Sequence, residues 1–170
     1  MNRRILVAAL LAGTAALSAC KKEPPASLPP EPQATATSTP GDTMAGVAQP
    51  GTQAHFMQGV NGQNVIYFDT DRYNIDSADA AALQTQAQYL GQYPQVNITI
   101  EGHADERGTR EYNLALGERR ANAAKNYLTG LGIAASRISV ISWGKERPVS
   151  LGSNETAWAQ NRRAVSIVVN

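Results

Sequence analysis

Arg120 stands where an apolar residue belongs. Taking about 100° per residue and counting from Tyr112, Leu116 falls at about 40°, Tyr127 at about 60°, Leu131 at about 100° and Ala124 at about 120°, with Arg120 at about 80° in the middle of the stripe. Arg119 and Asn122 point toward the polar side. A guanidinium aimed at a core must meet an acid, a cluster of carbonyls or a ligand, because an unpaired buried charge is prohibitive. Periodicity leaves a structural ion pair, or an arginine snorkelling out of the stripe, open beside ligand binding. The polar run from Gly102 to Thr109 brings further chemistry in His103, Asp105 and Glu106.

The catalytic readings of these residues fail on geometry. His103 with Asp105 would suit a metal, but the only other histidine is His55, and a catalytic zinc takes three protein ligands. Support of the loop is the expectation for His103. Glu101, Asp105 and Glu106 occupy adjacent strand and loop positions, which gives no opposed pair across a sugar ring. Ser142-Trp143-Gly144-Lys145 fits the Ser-x-x-Lys of penicillin-binding enzymes, yet that motif needs a helix start and companion motifs that this sequence lacks. Gly130-Leu131-Gly132-Ile133-Ala134-Ala135 fits the dinucleotide fingerprint but follows a helix where the fingerprint must follow a strand, so it reads as a helix stop. No enzyme, cofactor or metal site is therefore expected.

The elements that must position Asp105 and Arg120 can be read from residue 64 onward. Val65, Ile66, Tyr67 and Phe68 form a short β-prone run that ends in the turn-prone Asp69-Thr70-Asp71. Asp76 or Ser77 can cap a helix whose Ala80, Leu83, Ala87 and Leu90 recur at helical spacing, and Pro94 ends it. Val96, Ile98 and Ile100 alternate with polar neighbours as a half-buried strand does. The Gly102–Thr109 loop then leads into a helix over about 110–129, stopped by Gly130 and Gly132. Ile138 and Val140, then Val165, Ile167 and Val169, read as two closing strands. The order β-α-β-α-β-β with right-handed crossovers predicts an α/β fold: a two-layer sandwich of a mixed four-stranded sheet with both main helices on one face.

The first third of the chain is of another kind. Arg3 and Arg4, an uncharged apolar run to Leu17, and Ser18-Ala19 make the three parts of a secretory leader, with a run too short for a stable span of about 20 residues. Leu17-Ser18-Ala19-Cys20 resembles the bacterial lipobox, so Cys20, the only cysteine, is the expected lipidation site. Three acyl chains there, at about 0.8 kcal/mol per buried methylene, make release negligible. Lys21 in place of an aspartate favours the outer membrane over the inner. Removing residues 1–19 takes Arg3 and Arg4 and leaves a net charge of about −1, which gives no basic bulk for nucleic acid. Residues 20–58 read as the lipidated cysteine and a tether, with seven of the nine prolines between 21 and 58 and no periodicity. It spans about 120 Å if extended and about 35 Å as a flexible coil. Residues 59–170 form the expected folded domain.

Two long runs carry a family resemblance: Gly102-His103-Ala104-Asp105-Glu106-Arg107-Gly108-Thr109, and Glu111-Tyr112-Asn113-Leu114-Ala115-Leu116-Gly117-Glu118-Arg119-Arg120-Ala121. Phe68 to Tyr73, Trp143 to Pro148 and Asn161-Arg162-Arg163-Ala164-Val165 add to them. Over about residues 64–169 the chain resembles the OmpA-like family of peptidoglycan-binding domains. The resemblance implies a peptide-stem ligand whose meso-diaminopimelate offers a carboxylate and an ammonium close together. It maps the family's acid to Asp105 and its base to Arg120, where a planar guanidinium takes a carboxylate through two parallel hydrogen bonds. Thr70 and Asp71 map to the same pocket, and Asn113 and Leu116 to its helical wall. Arg162 and Arg163 match the closing Asn-Arg-Arg, with a sheet-edge salt bridge and ligand contact equally open for them. Trp143 departs from the common tyrosine, outside the pocket positions. The lipid-anchored members also imply TolB and other Tol components as partners and a role in envelope constriction during cell division. A wall anchor without a Tol partner is the alternative, separable by co-purification with TolB. An enzyme would release soluble muropeptides from sacculi. On this reading Arg120→Ala abolishes sedimentation with sacculi, at a cost of about 2–5 kcal/mol in binding, while the fold stays largely intact.

Overall fold

The computed structural model describes residues 48–169; the leader, Cys20 and most of the expected tether lie outside the described residues. The first element is one that the sequence reading placed in the tether. Thr52 accepts from the His55 backbone N–H through its hydroxyl and caps α1 (Gln53–Gly59). This short helix buries Phe56 and, just beyond it, Val60, and its His55 donates to or accepts from the Tyr89 hydroxyl at 2.7 Å. The folded domain therefore begins near Thr52 rather than at residue 59. Three ring contacts, His55 with Tyr89 and Tyr93 and Phe56 with Tyr89, and the burial of Phe56 and Val60 outweigh the weak helical pattern of seven residues.

The remaining elements are β1 (Val65–Tyr67), α2 (Ser77–Gln92), β2 (Asn97–His103), α3 (Arg110–Gly130), β3 (Ile138–Gly144), α4 (Glu155–Asn161) and β4 (Arg163–Val169), with a single 3-10 turn at Ala135–Arg137. The caps are those the sequence suggests: Asp76 accepts from the Asp79 N–H at α2, and Thr109 from the Tyr112 N–H at α3. α4 and the 3-10 turn were not anticipated. The strands lie in the order β1-β4-β2-β3, with β2 and β3 parallel and the other pairs antiparallel. The expected two-layer α/β sandwich with a mixed four-stranded sheet is thus what the chain forms. α3 lies against β2, β3 and β4, and α2 against β1 and α3. β1 is so short that Val168 of β4, paired with Ile98 of β2 on one side, has no β1 residue on the other, and its N–H donates to Gln53 Oε1 of α1 at 2.7 Å.

Ile66, Leu83, Leu90, Val96, Ile98, Ile100, Leu128 and Ile138 form the core between sheet and helices. In β4 the burial falls on Ala164, Ser166 and Val168, while Val165 and Ile167 are half-buried and Val169 is exposed. The small Ala164 and Ser166 face the core, leaving room for α2's Gln86, which accepts from Ser166 Oγ. In α3 the buried line is Asn113, Leu116, Gly117, Arg120, Ala121, Ala124 and Leu128. Tyr112 and Leu131 are exposed, so the stripe is rotated from the one drawn through them, with Arg120 still inside it. No helix among the described residues is long and apolar enough to cross a membrane.

α3 approaches β2 closely enough that only glycine fits at the crossing. A Cβ on Gly102 would overlap the Gly117 carbonyl, and one on Gly117 would lie 2.7 Å from the Gly102 carbonyl oxygen and closer still to Ser142 Oγ. In an exposed helix, Gly→Ala stabilises by about 1 kcal/mol through propensity. At this crossing the overlap meets backbone that cannot move aside, so Gly117→Ala is expected to lower the unfolding free energy by about 1–3 kcal/mol, read from the urea midpoint.

Candidate functional site

The C-terminal ends of β1 and β2 run into the loops that carry Thr70 and Asp71 and Ala104 to Gly108, and the first turns of α3 stand beside them. These three segments enclose a cleft of about 250 Å³ lined by Thr70, Asp71, Ala104, Asp105, Arg107, Gly108, Tyr112, Asn113, Leu116 and Arg120. All six residues expected at the principal site, Thr70, Asp71, Asp105, Asn113, Leu116 and Arg120, therefore meet in one place. Asp71 adopts φ 56° and Gly108 φ 82°, the left-handed conformation that an aspartate tolerates better than most residues and glycine adopts freely. Those reversals turn both loops over the cleft. Asn113 donates from its amide to the Arg107 carbonyl at 2.7 Å, and the Tyr112 hydroxyl donates to Asp71 Oδ1 at 3.1 Å.

Arg120 is wholly buried in the floor. Its Nε donates to the Arg72 carbonyl at 2.9 Å, Nη1 to the His103 carbonyl at 2.8 Å and Nη2 to the Asp69 carbonyl at 3.0 Å, with the Phe68 ring 5.2 Å from the guanidinium carbon. Of the alternatives that periodicity left open, a cluster of carbonyls is the one the structure shows. Burial and the charge of Arg162 push the guanidinium pKa down to about 10, against the pull of Asp105, Asp71 and Tyr112, so it remains charged at neutral pH. A guanidinium has five N–H donors, and three are committed to backbone. The open two-pronged dock expected at Arg120 is thus closed to a single N–H on each terminal nitrogen.

Asp105 is also engaged. Its Oδ1 accepts from the Arg107 backbone N–H at 3.1 Å and from Arg107 Nε at 2.9 Å, and Oδ2 accepts from Arg107 Nη2 at 2.7 Å. Arg162 Nη1 lies 3.6 Å from the same Oδ2. Burial alone would raise the carboxyl pKa, but the Arg107 hydrogen bonds and the two arginine charges outweigh it and hold the group below the usual carboxylate range. Asp105 is therefore an anion in a basic setting. Arg107 was quoted in the sequence only as part of a run. Its signal was local: an arginine two residues after an aspartate in a loop can fold its fork back onto that carboxylate.

Arg162 and Arg163 separate in the structure. Arg162 donates from Nε to the Phe68 carbonyl and from Nη2 to Glu155 Oε1 at 2.6 Å, so it touches the site through Asp105 without lining the cleft. Arg163 donates to the Asn161 and Arg147 carbonyls and does not line the cleft. Both are structural ties at the end of the sheet. His103 is buried with neither ring nitrogen hydrogen-bonded; burial, then the charges of Arg163 and Arg147, lower its pKa to about 3, so it is neutral at ordinary pH. Among the described residues no group of three potential metal ligands converges. Ser142 sits in β3 and donates to the Leu114 carbonyl, and Lys145 donates to the Glu106 and Gly108 carbonyls, so this Ser-x-x-Lys pair holds loops in place. A larger hollow of about 330 Å³ adjoins the same loop at Asp69, lined also by Tyr67, Asn74, Asp76, Asp79 and Arg162. Its charges are committed within the fold: Asp76 and Asp79 accept from backbone N–H groups, and Arg162 donates to the Phe68 carbonyl and to Glu155.

The burial of Arg120 revises what its loss would do. Arg120→Ala leaves three carbonyls short of a donor and opens a hole beneath Phe68, so it is expected to cost about 2–5 kcal/mol of folding stability. Thermal unfolding of the purified variant measures this, and a variant as stable as the parent would show that the carbonyls find other partners.

Residues 67–162 match the model of the OmpA family. The chain is 52% identical over 124 residues to the peptidoglycan-associated lipoprotein of Rhizobium meliloti, covering 73% of this chain and 69% of that one. It is 46% identical over 102 residues to the peptidoglycan-associated lipoprotein of Haemophilus influenzae, covering 60% and 67%. Among solved structures, the peptidoglycan-associated lipoprotein from Burkholderia pseudomallei superposes with a TM-score of 0.63 at 44% identity, over 67% of this chain and 99% of that one. The cell wall anchor of a type VI secretion system from Pseudomonas aeruginosa shares the fold, with a TM-score of 0.56 at 19% identity over 72% and 100%. Matched by the family model over more than half its length, and half-identical to its relatives across the folded region, the chain belongs to the OmpA family.

Proposed function

We propose that this chain is a non-catalytic anchor of the outer membrane to the cell wall. On this reading Cys20 carries the lipid, the segment after it spans the gap on the periplasmic side, and the folded domain holds the peptide stem of peptidoglycan. The observation that carries the proposal is the cleft, in which an anionic Asp105 and a cationic Arg120 from separate segments share one hollow with Thr70, Asp71, Asn113 and Leu116. A diaminopimelate end carries one ammonium and one carboxylate, so such a site can meet both charges at once. Relatives named for their association with peptidoglycan, 46–52% identical to this chain, support the same reading.

The roles of the two charged residues differ. Asp105 accepts the ligand ammonium, and its depressed pKa keeps it ionised at neutral pH and further into acid than an ordinary aspartate. Arg120 acts first by holding the Asp69 and Arg72 carbonyls in place and by putting positive charge under the floor. A ligand carboxylate is drawn by that charge, since the guanidinium itself presents no surface to it. Single-site affinity need not be high, since many anchored copies face a repeating polymer. TolB and other Tol components as partners, with a part in constriction at division, complete the proposal on the strength of the family resemblance.

Co-sedimentation with purified sacculi tests it. Asp105→Asn keeps the shape of the side chain and removes its charge, and is expected to weaken sedimentation by about tenfold or more with no soluble muropeptide released by either form. Unchanged sedimentation would remove Asp105 from the binding role, and release of muropeptides would replace an anchor with an enzyme.

A further inference from the structure

The cleft is not open to an incoming ammonium, because Asp105 already holds a cation. Arg107 grips it through both prongs of its fork, at 2.9 and 2.7 Å. Of the two arginines on Asp105, only this one is free to leave: the Arg107 side chain is 40% exposed, whereas Arg162 is 7% exposed and is tied to Phe68 and Glu155. Arg107 also has a second resting place. Its guanidinium carbon lies 4.2 Å over the ring of Trp158, and that ring is itself fixed by the indole N–H donating to Glu106 Oε1 at 3.0 Å. Arg107 Nη2 also donates to Thr70 Oγ1 at 3.3 Å, so the head has partners on the cleft rim besides Asp105.

We propose that Arg107 is a built-in competitor for Asp105 that makes the cleft selective for a ligand bearing an ammonium and a carboxylate together; the proposal rests on the wall-binding reading above. An ammonium alone replaces a two-pronged guanidinium with a point charge and leaves Arg107 without its anion, which is a poor exchange. A carboxylate on the same ligand changes the balance, because it accepts from the released edge of Arg107 over the buried charge of Arg120. The charged residues that line the cleft are Asp71, Asp105, Arg107 and Arg120. A zwitterion therefore re-pairs every charge it disturbs. The side chain of a stem lysine, which has the ammonium without the carboxylate, does not. Discrimination of this kind works by penalising the wrong ligand as much as by favouring the right one.

The test is calorimetric titration of the chain from Lys21 onward with two stem peptides, one carrying diaminopimelate and one carrying lysine at that position. The parent is expected to favour the diaminopimelate peptide by about tenfold or more. Arg107→Gln is expected to bind the lysine peptide more tightly than the parent does and to lose most of that ratio. Arg107→Lys, which keeps the charge but not the fork, should fall between them, and carries the test if the glutamine variant does not fold. An Arg107→Gln protein that keeps the parent's ratio, or weakens for both peptides alike, overturns the competitor role while leaving the wall-binding reading in place. A parent that binds neither peptide overturns that reading, and the competitor with it.

Discussion

The guanidinium of Arg120 gives one hydrogen bond to each of three backbone carbonyls, those of Asp69, Arg72 and His103, and shows nothing to solvent. Two of those carbonyls belong to the loop after β1 and one to the end of β2, while Arg120 itself belongs to α3. A single side chain thus joins three pieces of chain that are far apart in sequence. Desolvating a cation is costly, and the cost is offset only when all three carbonyls are in place. The cleft wall that holds Thr70 and Asp71 depends on this tie.

The tie is possible only because α3 comes very close to the sheet. Gly102 and Gly117 let the two backbones touch, which sets the depth from which Arg120 reaches the end of β2. Around the rim, carbonyl-seeking cations do the remaining work: Lys145 holds the Glu106 and Gly108 carbonyls, and Arg162 holds that of Phe68. Loops with few apolar contacts are ordinarily the mobile parts of a domain. Here their carbonyls are fastened by charged side chains, so the site is shaped before a ligand arrives, which reduces the ordering cost of binding.

The mixed four-stranded sheet and the two main helices were legible because each rests on periodicity that local physics enforces: alternating Val96, Ile98 and Ile100, and the capped helical spacing through Leu83 and Leu90. The oddity of Arg120 was legible for the same reason, since a charge in an apolar stripe breaks a rule that burial imposes. What satisfied it was not, because carbonyls carry no sequence signature. α1 and α4 were missed: seven residues hold too few apolar positions to show a period, and both helices depend on tertiary contacts such as Phe56 against Tyr89. Which face of β4 is buried was not legible, because its β-branched residues look more buried than the alanine and serine that are. Arg107 was overlooked because its partner lies two residues away in a loop, where spacing rules for helices and strands say nothing.

An anchor of this design needs no moving parts beyond one side chain: a shaped cleft with both signs of charge, and a fold that holds it. Its central claim is that the loop after β1, the loop after β2 and the first turns of α3 act as a single ligand surface. The most direct measurement is residue-resolved NMR of the isotopically labelled chain titrated with a diaminopimelate stem peptide. The account predicts that amide shifts concentrate at residues 69–72, 104–108 and 112–120, with the free edge of the sheet at Ile138–Gly144 largely unmoved. Shifts centred on that edge, or on α1 and the end of α2, with the three cleft segments silent, would contradict it.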